Sequence, residues 1–147
     1  MIAGHGISID IPAGWEARIY RREGAAPVLH AASFALHDGD GDFGAAATGR
    51  MRPGDSFAAL VEYLVDERLQ PGIGLFAAEG VPPAPRLVEF GPMQLQVTRP
   101  GQLGWQGFFT AAQRPCCLYA VIRPGAAAPA GMVAELGRVL TTLRLDA

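Results

Sequence analysis

The sequence predicts an α+β fold, an antiparallel β-sheet with an N-terminal β-meander and a packed C-terminal helix. Three observations carry this. Residues Ile7-Ser8-Ile9-Asp10-Ile11 alternate apolar and polar with the period of two that a one-sided strand requires. Trp105 to Ala112 and Cys116 to Ile122 are two apolar runs joined by Gln113-Arg114-Pro115, the pattern of a hairpin. Met132, Leu136, Val139, Leu140 and Leu143 recur at helical spacing and share their stripe with Val133.

Taken in chain order, the first strand stops at Pro12, which cannot donate to a ladder. Gly14 then supplies a turn, and Trp15 packs at the strand's edge. Glu16 to Arg22 reads as a second, more polar strand, with Ala17 and Ile19 alternating against Arg18 and Tyr20. Gly24 to Pro27 turns the chain into a third strand at Val28 to Leu36, followed by the loop Asp38-Gly39-Asp40-Gly41-Asp42. Gly44 to Met51 has room for one or two helical turns before Pro53-Gly54 breaks the chain.

Phe57 to Val65 fits two templates. Phe57, Leu60, Val61 and Leu64 match an amphipathic helix with Asp55 as its N-cap, whereas Phe57, Ala59, Val61, Tyr63 and Val65 match a strand. The strand is the preferred reading. Gln70 to Pro92 is connection, rich in Pro and Gly, with one short apolar run at Ile73 to Ala77. Leu95 to Thr98 alternates as a strand, and Pro124 to Pro129 is a linker. The terminal helix contains Gly131 and Gly137, each costing about 1 kcal/mol relative to Ala, so it must be held by packing.

Both faces of the hairpin are apolar. Trp105 and Phe109 lie on one face of their strand and Phe108 on the other. One face is expected under the C-terminal helix. The other is expected to meet a second layer, a subunit or a ligand.

Composition narrows the function classes. With 147 residues, 50% of them hydrophobic and 18% charged, the chain can close a core, and one domain over residues 1–147 is expected. Lys and Asn are absent while Ala, Gly, Pro and Arg are plentiful, which reads as the coding bias of a GC-rich bacterial genome. A formal charge of -2 and no basic run beyond Arg21-Arg22 argue against a nucleic-acid partner. Met1 to His5 carries no secretory signal, and no apolar run reaches the roughly 18 residues of a membrane span. A cytoplasmic protein is the expectation.

No constellation of chemistry survives inspection. Cys116 and Cys117 are adjacent on a strand and point to opposite faces, with no His or Lys beside them to lower a thiol pKa. They read as small hydrophobes. His5, His30 and His37 have no metal-ligand spacing, and on one continuous strand His30 and His37 would face opposite sides. Asp38, Asp40 and Asp42 open like a calcium loop, but Phe43 and Gly49 stand where Gly and Glu are needed, so a solvated acidic turn is expected. Asp66-Glu67 lies in a polar stretch and reads as solvated surface. Gly72-Ile73-Gly74-Leu75-Phe76-Ala77 matches a dinucleotide fingerprint in letters only, since polar residues and Pro71 precede it where a buried strand belongs. No catalytic residue, metal or cofactor is expected.

Ile9-Asp10-Ile11-Pro12-Ala13-Gly14-Trp15 together with Glu135-Leu136-Gly137-Arg138-Val139-Leu140-Thr141-Thr142-Leu143-Arg144 resembles the PsbP-like α/β/α sandwich superfamily. Its members open with a strand ending in Pro-x-Gly-Trp and close with a helix finishing near a Ser/Thr-Leu-Arg step. The middle of the chain is similar to a family of uncharacterised proteins from GC-rich bacteria. That similarity rests on Ala32-Ser33-Phe34, Asp42-Phe43-Gly44, Leu60-Val61-Glu62-Tyr63, Pro100-Gly101-Gln102, Phe108-Phe109-Thr110 and Cys117-Leu118-Tyr119. It favours the strand at Phe57 to Tyr63. The superfamily resemblance implies a role that is mostly non-catalytic, as in photosystem subunits, a small-GTPase-binding import factor and chaperones of secretion effectors. No site residue carries over from it.

The resulting expectation is a non-enzymatic protein-binding domain, adaptor- or chaperone-like, whose partner is another protein or a second copy. The hairpin face with Gln106, Phe108 and Thr110 is the candidate contact surface, because Phe108 is a large aromatic among polar neighbours; the competing and favoured expectation is that the chain's own loops cover this face. The alternative is a small-molecule-binding protein or enzyme with a pocket between sheet and helix, using Cys117.

Overall fold

The structure is a computed structural model and describes residues 1–126 and 128–147. Its centre is a five-stranded antiparallel sheet of β3 (Glu16–Tyr20), β4 (Val28–Ala32), β5 (Asp55–Glu62), β6 (Leu103–Ala111) and β7 (Arg114–Arg123), ordered β3-β4-β5-β7-β6. A smaller antiparallel sheet holds β1 (Ile2–Gly4), β2 (Ile7–Ile9) and β8 (Arg144–Leu145), ordered β1-β2-β8. The helices are α1 (Ala45–Gly49) and α2 (Pro129–Leu140). The α+β class and the packed C-terminal helix are as the sequence predicts. The meander is β3-β4-β5; the Ile7 strand stands apart, in the small sheet.

Alternation places two cores on the two faces of the main sheet. Leu29, Leu60, Leu118, Ile122 and Phe109 face one way and are closed over by Ile7, Ile9 and Trp15 and by Leu136, Val139 and Leu140 of α2. The layer between sheet and α2 is therefore filled by side chains. On the other face Val28, Phe57, Val61, Tyr119 and Val121 lie under Leu36, Ala47 and Met51 of the β4–β5 connection. Phe57 to Glu62 is strand, Phe57 to Val61 in register with β4 and all six with β7, which resolves the helix–strand ambiguity, and the strand ends at Glu62 rather than Val65.

Several boundaries differ from the prediction. The first strand ends at Ile9 rather than Ile11, because Asp10 N–H turns to Thr142 Oγ1 at 2.9 Å. β4 stops at Ala32 rather than Leu36: Ser33 Oγ accepts Ser56 N–H at 2.9 Å, and the chain leaves to cross the sheet. Leu95 to Thr98 is not a strand. The free edge of β6 is already occupied there: Gly91 exchanges hydrogen bonds with Gly104 at 2.9 and 3.0 Å, and Thr110 N–H donates to Ala78 O. This crossing needs Gly104, since a Cβ there would come within 2.8 Å of the Leu95 side chain and 3.1 Å of backbone. The hairpin turn is Ala112-Gln113, both left-handed at φ 52° and 63°, and Arg114 and Pro115 belong to β7. Pro115 is tolerated because the ladder with β5 begins one residue later, at Cys116 opposite Glu62. The linker predicted at Pro124 to Pro129 includes residue 127, which lies outside the described residues, and α2 starts at Pro129 with proline in its first turn.

Arg114 joins the two sheets. It donates to Glu62 Oε1 at 2.8 Å and to the carbonyls of His5 and Asp146 at 2.9 Å each. Among the described residues, no helix is long and apolar enough to cross a membrane.

Candidate functional site

Where β5 ends beside the β6–β7 hairpin, three aromatic rings meet. Tyr63 follows β5, Phe108 belongs to β6, and Phe76 arrives on a 3-10 turn at Gly74–Phe76. Ring centroids are 5.3 Å apart for Tyr63 and Phe76 and 5.9 Å for Phe76 and Phe108, both pairs inclined steeply. Thr110 fixes the turn above them: its hydroxyl donates to Phe76 O at 2.8 Å and accepts Gly72 N–H at 2.9 Å.

The loop pinned in this way exposes aliphatic side chains. Leu64, Val65, Ile73 and Leu75 are 57%, 55%, 64% and 62% exposed, and they lie on its two arms. Between the arms is an open cleft of about 660 Å³, walled by Leu69, Ile73, Leu75 and Phe76. Its rim is mainly acidic, with Asp66, Glu67 and Arg68. The Asp66 carboxylate accepts the N–H groups of Arg68 and Leu69 at 2.7 and 2.8 Å, so it shapes the turn as well as facing solvent.

The predicted contact residues lie one layer below this surface. Thr110 is 2% exposed and is used up by the loop. Phe108 is half-buried against Phe76, and Gln106 accepts a hydrogen bond from Gln96 at 3.3 Å. Thr110 tethers the 72–76 turn, and residues 72–96 of the same chain cross the hairpin face, as the covering-loop expectation has it. The exposed positions, Leu64, Val65, Ile73 and Leu75, were the ones sequence reasoning missed. The available signal was the apolar run Ile73 to Ala77 inside a connection that is otherwise Pro- and Gly-rich.

Cys116 and Cys117 are fully buried free thiols. Burial pushes both pKa values up to about 12, with Glu62 adding to the rise at Cys116, so neither is a ready thiolate near neutrality. Burial likewise raises the Tyr63 phenol to about 12.

A second polar cluster lies at the far side of the same face. The strand predicted to separate His30 from His37 ends at Ala32, and both histidines line one cleft of about 330 Å³ with Tyr20, Asp38, Asp40 and Asp42. Each aspartate has an arginine: Arg18 on Asp38, Arg50 on Asp40 at 2.6 Å, and Arg22 on Asp42. Asp40 is buried, which corrects the expectation of a wholly solvated turn. Its burial alone would raise the carboxyl, but hydrogen bonds from Arg50 and the His37 N–H hold it below the usual range. His30 Nε2 lies 2.9 Å from Asp42 O, so Nε2 carries the proton and the buried Nδ1 is left without a partner. Burial depresses the His30 pKa, more than the Asp42 carbonyl and Asp40 raise it. This cluster clamps the acidic loop onto the sheet. Among the described residues no group of three His, Cys, Asp or Glu side chains could hold a metal ion.

No protein-family model, curated protein or solved structure matches the chain.

Proposed function

We propose that this protein is a non-enzymatic binding domain, adaptor- or chaperone-like, that holds an apolar segment of another protein against the loop at 64–75. The observation that carries the reading is a run of four aliphatic side chains, each more than half exposed, of which Ile73 and Leu75 wall an open cleft and Leu64 and Val65 immediately precede its acidic rim. An exposed apolar cluster rimmed by polar groups is the usual mark of a contact surface. The acidic rim of Asp66 and Glu67 favours a partner segment with a basic residue beside its apolar ones. Gln106, Phe108 and Thr110 then act as the platform under the loop. The PsbP-like resemblance of the two chain ends supports the same reading, since that superfamily's roles are mostly non-catalytic, and a cytoplasmic setting remains part of the proposal. The small-molecule alternative would need a surface cleft, because side chains fill the layer between sheet and α2.

The test is site-specific photocrosslinking in a lysate of the source organism. A crosslinker at Leu75 is expected to capture one protein species, and the same group at the exposed control position Glu23 to capture none. No adduct at Leu75, or the same adducts at both positions, would overturn the reading.

A further inference from the structure

We propose that the outer edge of β6 is a peptide-binding site, where an extended segment of a partner protein adds as a short antiparallel strand beside Gln106 and Phe108. The proposal rests on the reading above for its occupant, the segment held at the 64–75 loop. Along an antiparallel strand, alternate residues turn their N–H and C=O groups to opposite sides. Gly104 exchanges hydrogen bonds with Gly91, and Thr110 donates to Ala78 O and accepts from Gly80 N–H, so the even positions of β6 face away from β7. The register agrees. Pro115, opposite Thr110, has no N–H, and its carbonyl turns toward β5 and accepts Tyr63 N–H at 2.9 Å. Gln106 and Phe108 lie between the two attachments, and their outward N–H and C=O groups have no hydrogen-bond partner among the described residues. Burial follows the same pattern: Gly104, Trp105, Phe109 and Thr110 are buried, while residues 106–108 are half-exposed.

The chain's own covering segment does not close this gap. Between Gly80 and Gly91 it leaves the sheet edge for α2: Val81 and Phe90 pack into the core on that side, and Ala84 stands against Gly137. Pro82, Pro83 and Pro85 have no N–H to donate. Two donors and two acceptors in strand spacing are left open, which a peptide main chain complements and an apolar surface does not. Antiparallel addition meets all four groups with three residues, the outer two opposite Gln106 and Phe108. A parallel strand needs five and would reach the levels of Trp105 and Phe109, next to the attachments. Pairing β6 with β6 of a second copy would drive the 78–80 and Gly91 segments of each into the other, so a single extended chain is the occupant. Its side chain opposite Phe108 lies on the face of the Phe76 ring and takes an apolar group. The one opposite Gln106 lies beside Gln96 and takes a polar group.

The experiment selects random linear heptapeptides displayed on phage against the immobilised full chain and synthesises the best binder as the probe. In the free protein the Gln106 and Phe108 amides should exchange fast between slow neighbours at Trp105, Gly107 and Phe109, read by NMR. The peptide should slow both by about tenfold or more. Gln106→Pro removes an N–H that the ladder does not use, so it should fold, as circular dichroism checks, and bind the peptide about tenfold or more weakly. No selected binder, unchanged exchange at Gln106 and Phe108 with peptide bound, or full affinity in folded Gln106→Pro would each overturn the proposal. The same peptide is measured on Ile73→Ser with Leu75→Ser. Weaker binding there, with protection at Gln106 and Phe108 in the wild type, supports one continuous site. Full affinity there would keep the β6 site and overturn the 64–75 reading instead.

Discussion

The two faces of the main sheet are closed in different ways. The face under α2 and the small sheet is sealed by apolar side chains from regular elements, with Ile9, Leu60, Phe109 and Leu136 fully buried. The opposite face has its own apolar core under Leu36, Ala47 and Met51, but most of the chain that covers it is irregular and is also held at a few polar points. Thr110 holds the 72–76 turn, the Tyr119 hydroxyl accepts Gln96 N–H at 2.8 Å, and Arg99 and Gln102 donate to carbonyls of α1 at 3.0 and 2.7 Å. Burial without direction makes a scaffold. Directional tethers let a loop keep aliphatic side chains in solvent, and that is where we place function.

Substitutions on each side should separate the two modes. The largest loss is expected for Leu136→Ala, which opens a cavity under α2: about 2–5 kcal/mol by denaturant titration, as for other buried leucines. Gly44→Ala comes next. Gly44 sits at φ 70°, and a Cβ there would run into the Phe57 ring, so the left-handed penalty and overpacking together should cost about 2–4 kcal/mol. Thr110→Val strands Phe76 O and Gly72 N–H and should cost about 1–3 kcal/mol, with faster hydrogen exchange confined to the 72–80 segment. Tyr119→Phe removes one acceptor and should cost about 1 kcal/mol, read as increased exchange at Gln96.

The smallest effect is a pH dependence at His30. Its folded pKa lies below the ordinary 6.5, so the unfolded chain binds the proton more readily. Stability is then complete above that value and falls as pH drops through it toward the lower folded pKa. Thermal melts between pH 8 and 5.5 should show this decline in the wild type and a flatter profile in His30→Gln; equal slopes would remove His30 as its source.

What the sequence made legible follows the same division. α2 and the β6–β7 pair could be read because their side chains repeat with the period of the element that buries them. The 33–51 and 66–98 crossings could not, since no period marks a tether such as Thr110 to Phe76 O. The hairpin turn was displaced because Ala112-Gln113 lacks the Asn or Gly that usually announces two left-handed residues. The candidate surface was legible only in its platform. Phe108 was visible as an odd aromatic, while the residues over it depend on a fold-back that only the structure supplies.

The most direct test of the account is to make Ile73→Ser together with Leu75→Ser and measure stability and partner capture on the same protein. Both side chains lie in solvent, so the denaturation free energy should change by no more than about 0.5 kcal/mol per site, while capture by the crosslinker, moved to Leu64, should be lost. Undiminished capture by the folded double variant would contradict the claim that the 64–75 loop is where this protein binds.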